Sequence, residues 1–140
     1  MTKPFTTLIT VHPSEIDELG HVNNAVYQKY LEQGAIAHSL QLGFTLDRYR
    51  ELGGVFVMRR IEIEYLRPAV LGDTLALSTW VIEFRGACAI RRYEIRKPGA
   101  RDLLLTAEAL WVWVDTNTLR PRVIPDTLLE TFGKLALCAS

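Results

Sequence analysis

Apolar and polar residues alternate with a period of two over several long stretches of this chain, and with helical spacing over one. Phe5 to Val11 (FTTLITV) is rich in β-branched residues and predicts a strand, which Pro13 ends. Tyr27, Leu31, Gly34, Ala35, His38 and Leu42 then recur on one face at helical spacing. Asn23 or Asn24 is a good cap for the start of that helix, and Gly43 stops it after about Leu42. From Val55 the period changes to two, with Ile61, Ile63 and Tyr65 alternating with Arg60, Glu62 and Glu64. Further strands are predicted over Leu75 to Phe84, over CAIRRYEIR and over LLLTAEALWVWVD, where Ala107, Ala109, Trp111 and Trp113 share a face. Gly72-Asp73, Arg85-Gly86, Pro98-Gly99 and TNTLRPR are turns, and Pro125 with Asp126 opens a short C-terminal helix, DTLLETFGKLAL.

The order is strand, long helix, long strands joined by tight turns, and a small helix. Tight turns imply antiparallel neighbours, so the fold class is α+β. Gly34 costs roughly 1 kcal/mol against Ala inside a helix. With Ala35 and Ala37 it leaves little bulk mid-helix, which suits a helix pressed closely against a sheet. One such sheet leaves an edge and a face to cover, and pairing with a second copy supplies both.

Composition narrows the class. The chain has 140 residues, which fits a single domain over 1–140, and is 49% hydrophobic and 23% charged, which is globular. Lys plus Arg equals Asp plus Glu at 16 each, so no net field draws the molecule toward nucleic acid or an anionic membrane. No apolar run approaches the ~20 residues of a membrane span, and the start lacks a signal peptide's apolar core. Cys88 and Cys138 are far apart and match no metal or disulfide pattern. A cytoplasmic protein with free thiols is expected.

The chemistry concentrates in IDELGHVNNAVYQKYLE, Ile16 to Glu32. A helix start offers unpaired backbone N–H groups and about half a positive charge. Aimed at a carbonyl oxygen, those donors form an oxyanion hole. Asp17, just before the helix, can act as general base or as nucleophile. Gly20 lets the chain turn and lets a substrate approach the backbone. Taken locally, Asp17 is as readily a turn residue, and Asn23 and Asn24 are caps first. His21 serves equally as an interface residue or as a partner of Asp17 or the leaving thiol. His12, Ser14 and Asp17 crowd one loop, against triad geometry, and His12, Asp17 and His21 lack a fourth metal ligand.

DELGHVNNAVYQKYLE, Asp17 to Glu32, resembles the opening motif of the hotdog-fold acyl-CoA thioesterases of the 4-hydroxybenzoyl-CoA thioesterase-like group. RRIEIEYLRPAVLGDTL, Arg59 to Leu75, is similar to that family's second strand with its Tyr-x-x-Pro and Gly-Asp turns. VWVDTNTLRPRVIP, Val112 to Pro125, fits its last strand and tail. The resemblance implies a hotdog fold, a long central helix wrapped by a curved antiparallel β-sheet. It implies homodimers or homotetramers with the active site at the subunit interface and the acyl group in an apolar tunnel between the helix and the partner. It implies hydrolysis of an acyl-CoA thioester, with coenzyme A as part of the substrate, no metal and no separate cofactor. Asp17 maps to the catalytic carboxylate, and the N–H near Asn24 maps to the oxyanion donor. His21, Asn23 and Tyr27 fall at motif positions whose jobs vary. Glu32 is followed by QGAIA where many members carry an arginine. Among arginines suited to the phosphates of coenzyme A, Arg85 in EFRGA falls where relatives place such a contact, and Arg59 is a second candidate. Trp80, Trp111 and Trp113 are expected in the core or an interface rather than on an acyl-binding wall.

Overall fold

The structure, a computed structural model, describes residues 4–133. Five strands form one antiparallel sheet: β1 (Phe5–Thr10), β2 (Gly54–Tyr65), β3 (Thr74–Arg85), β4 (Cys88–Arg96) and β5 (Leu103–Asp115). Their spatial order is β1-β3-β4-β5-β2, so β1 and β2 are the edges. β4 and β5 coincide with the segments predicted from alternation. Gly86 and Gly99 have positive φ at 58° and 77°, in the turns on either side of β4.

Helix α1 (Asn24–Gln41) buries Tyr27, Tyr30, Leu31, Gly34, Ala35 and His38. A Cβ added at Gly34 would collide with Leu77 Cδ2 on β3, so the small residues in mid-helix do permit a close approach to the sheet. Gly43, at φ 90°, follows the helix end. The short helix α2 (Leu46–Glu51), capped by the Thr45 side chain, lies outside the predicted elements. The C-terminal segment forms α3 (Asp126–Leu128) and a π-helical turn at Leu129–Gly133, in place of one regular helix. The rest of the predicted helix, and Cys138, lie outside the described residues.

The expected architecture, a long central helix wrapped by a curved antiparallel sheet, is corrected by this structure. The sheet is open: among the described residues β1 pairs only with β3 and β2 only with β5, so no strand pairing there carries it around α1. The helix lies to one side, with Asn24, Ala25, Gln28, Lys29, Gln33 and Gln41 exposed. An enclosed helix must be apolar on all sides, and these side chains belong in water.

Two apolar clusters flank α1. One gathers Tyr27, Tyr30, Leu31 and Ala35 with Leu75, Leu77, Tyr93, Ile95 and Leu105. The other gathers Phe44, Val81, Ala89, Trp113, Ile124, Leu128 and Phe132 at the far end of the helix. The pairing of β2 with β5 slips by one residue between Met58 and Arg60, a bulge that leaves Arg59 opposite no partner. Among the described residues, no helix is long and apolar enough to cross a membrane.

Candidate active site

The loop before α1 is built by its own hydrogen bonds. A 3-10 turn at Pro13–Glu15 follows β1, and the chain then doubles back through a bridge between Ile16 and Val22. Gly20 makes the reversal at φ 80°, where an L side chain would be strained. Asp17 Oδ1 accepts from the N–H groups of Leu19 (2.9 Å) and His21 (3.2 Å). The Asp17 N–H donates to His21 O at 2.8 Å. The turn role foreseen for Asp17 is therefore real, and it occupies one carboxylate oxygen. Oδ2 has no partner among the described residues.

The loop is strapped to the chain between β2 and β3. His21 bridges Val70, and the Val22 N–H donates to Ala69 O at 2.8 Å. The Asn23 N–H donates to Glu15 O at 2.9 Å. Asn23 is the N-cap, its Oδ1 accepting from the Ala25 N–H at 2.9 Å, while the Val26 N–H donates to Asn23 O. That leaves the Asn24 N–H, at the first helical residue, without an acceptor among the described residues. Asp17 and His21 are half-buried, and Gly20, Asn23 and Asn24 are exposed.

A phenol cluster closes the space beneath the helix start. Tyr27 is buried, 5.9 Å from Tyr30 and 5.6 Å from Tyr65 between ring centroids. The Tyr65 hydroxyl donates to Asn24 O at 3.2 Å. The Tyr30 hydroxyl donates to Glu15 Oε1 at 2.7 Å, and the same oxygen accepts from the His12 N–H at 2.9 Å. Partial burial alone would raise the Glu15 pKa, but the donors from His12 and Tyr30 outweigh it and hold it below the usual range. Burial pushes the Tyr27 phenol up, as it does Tyr30, where the bond to Glu15 adds to the effect. Glu15, Tyr30 and Tyr65 as loop supports escape the sequence analysis. The spacing of Tyr30, three residues after Tyr27 on the helix, was the available signal.

The arginines are not brought to this loop within one protomer. Arg85 is exposed at the β3–β4 turn and pairs with Glu83. The loop adjoins the opposite end of β3, where the Val11 N–H donates to Asp73 O. At roughly 3.3 Å per residue, the length of β3 separates them by on the order of 35 Å. Arg59 is exposed at the β2 bulge, about 20 Å of strand from Tyr65. Trp113 is buried as expected, but Trp111 lies on the wall of a cavity.

That cavity, of about 680 Å³, runs beside the C-terminal half of α1 and is lined by Ala35, Ile36, Phe44, Phe56, Val81 and Trp111, among others. Arg91 is on its wall, with Nη1 2.9 Å from His38 Nδ1 and 3.1 Å from Thr79 Oγ1. Burial, then the neighbouring Arg91 charge, brings the His38 pKa down to about 4. His38 is therefore neutral near pH 7, and its Nδ1 accepts from Arg91, which has only donors.

A family model described as the Thioesterase-like superfamily matches residues 11–132. The chain is 29% identical over 113 residues, 81% of each chain, to a putative acyl-CoA thioesterase, YneP, of Bacillus subtilis. It is 27% identical over 124 residues to the chloroplastic acyl-acyl carrier protein thioesterase ATL3 of Arabidopsis thaliana, covering 89% of this chain and 65% of that one. The crystal structure of a Thermus thermophilus thioesterase complexed with coenzyme A and zinc superposes with a TM-score of 0.80 at 26% identity, covering 94% and 92% of the two chains.

Proposed function

The chain belongs to the Thioesterase-like superfamily, hotdog-fold thioester hydrolases, and we propose that it hydrolyses acyl-CoA thioesters to a free carboxylic acid and coenzyme A. The observation that carries this is the placement, on a loop and helix start tied together by Asn23, of Asp17 with Oδ2 uncommitted and of an Asn24 N–H without an acceptor, both among the described residues. In the proposed reaction the Asn24 N–H donates to the thioester oxygen as negative charge develops there. Asp17 Oδ2 takes a proton from water, whose oxygen bonds to the carbonyl carbon. The carbon–sulfur bond then breaks, and the thiolate leaves and takes up a proton. In the variant in which Asp17 attacks directly, a mixed anhydride forms and water hydrolyses it. His21 and Tyr27 border the reacting group, and Gly20 leaves it room.

Arg59 and Arg85 are proposed to meet the nucleotide phosphates. Their distance from Asp17 along the sheet requires a second subunit, so a homodimer or homotetramer is part of the proposal. The likeness to a carrier-protein thioesterase favours one second reading, in which the acyl group arrives on acyl carrier protein. The test is thiol release from aromatic and aliphatic acyl-CoAs and from acyl carrier protein, for wild type beside Asp17→Asn. Asn keeps the oxygen that holds the turn and removes the charge. Turnover that collapses in a folded variant supports the mechanism. Turnover unchanged by the substitution refutes Asp17, and release from neither carrier leaves a non-catalytic acyl- or CoA-binding dimer.

A further inference from the structure

The cavity beside the second half of α1 carries a chemistry that the proposed reaction does not use. Its walls are largely aromatic and aliphatic, yet Arg91, only 6% exposed, lies on them. A guanidinium has five N–H donors and no acceptor. Nη1 is committed to His38 Nδ1 and Thr79 Oγ1, both neutral. Nε and Nη2 have no acceptor, and no carboxylate lies within ion-pair distance of Arg91, among the described residues. Glu32 is on the same cavity wall and forms no ion pair with Arg91 among the described residues. A cation buried without a counter-ion is costly, and a planar guanidinium matches a carboxylate two bonds at a time.

We propose that this cavity is a binding site for a free carboxylate on an apolar body, the carboxylate forked onto Arg91 and the hydrocarbon lying against Phe44, Phe56 and Trp111. Its volume of about 680 Å³ is that of a small-molecule site. His38, the partner of Arg91, stands about 20 Å along the helix from Asn24. A group held at Arg91 is therefore not the head of a short acyl thioester at the start of the same helix, and a free acid fits the separation. The inference requires only the cavity and Arg91, and it stands whether or not Asp17 is a catalyst.

The test is calorimetric titration of the whole protein with decanoate, decanol and decyltrimethylammonium. Decanoate is expected to bind at least tenfold more tightly than decanol, and the ammonium no more tightly than decanol. Arg91→Met should abolish the preference for decanoate while leaving decanol affinity within about twofold, since the apolar walls are intact. Val57→Trp, at the exposed rim, should block entry and weaken decanoate at least tenfold without touching Arg91. Equal affinity for decanoate and decanol in the wild type overturns the proposal. So does decanoate affinity that survives both substitutions. If Arg91→Met does not fold, the wild-type ranking and Val57→Trp decide.

Discussion

The two ends of α1 handle polar groups in opposite ways. At the start, Glu15, Asp17 and Asn23 are exposed or half-buried, and their oxygens are met by backbone N–H groups a few residues away. At the other end, His38 and Arg91 are buried and meet across 53 residues of sequence, through side chains alone. The first arrangement is local, so it forms with the loop and leaves one carboxylate oxygen free. The second exists only once α1 has docked on the sheet, and it keeps charge in an apolar place. The proposed chemistry uses the first end, whereas the pH dependence of stability rests on the second.

That contrast can be broken by substitution. The largest effect is expected from Asp17→Asn, which should lower thioester kcat/KM by on the order of 10²–10⁴ with an unchanged melting temperature. A large drop in stability instead would mean that the Asp17 turn, not its charge, is what matters. Gly34→Val sits between the two ends and drives a side chain into Leu77. It should cost about 2–3 kcal/mol in denaturant unfolding, since overpacking forces the helix off the sheet. A cost near zero would show that α1 can shift without penalty.

The pH dependence tests the buried end alone. The folded pKa of His38 lies near 4, below its unfolded value of 6.5. Between those values the unfolded chain binds the extra proton, so stability falls as pH drops from about 6.5 to 4 and levels off below that. Allowing for solvent screening, the loss should be about 2 kcal/mol at most. Across that range the urea midpoint of wild type should fall relative to that of His38→Gln, since glutamine takes up no proton. Parallel curves would remove His38 as the cause. The smallest effect is expected from Asn23→Ala, about 1 kcal/mol, as the cap on the Ala25 N–H is lost. Any accompanying fall in kcat with KM unchanged would locate the oxyanion donors at this helix start.

Much of the fold is legible in the sequence because its signals are local. Alternation and turn residues delimit β4 and β5, and the small residues around Gly34 announce the close packing of α1. The polar face of α1, with Gln28, Lys29 and Gln33, is the sequence signal against enclosure, whereas the motif resemblance implies a wrapped helix. Helix α2 is missed because LDRYRE has no apolar period; only the Thr45 cap marks it. The loop around Asp17 is legible because it is contiguous. The Arg91–His38–Thr79 contact is not, since each residue alone reads as an ordinary member of a strand or helix. Their meeting depends on which face each strand turns toward α1.

The bulge at Arg59 works as a frame shift written into one strand. Before it, the side chains of β2 opposite Trp113 and Trp111 are the even-numbered Phe56 and Met58; after it, the core-facing ones are the odd-numbered Ile61 and Ile63. The extra residue changes the phase of alternation midway, which is why Arg59 and Arg60 can stand side by side in solvent. Deleting Arg59 would restore an unbroken frame and turn Ile61 and Ile63 outward, with Glu62 and Glu64 in their place against the helix. One residue in 140 thus keeps the two halves of this strand in register with a single core.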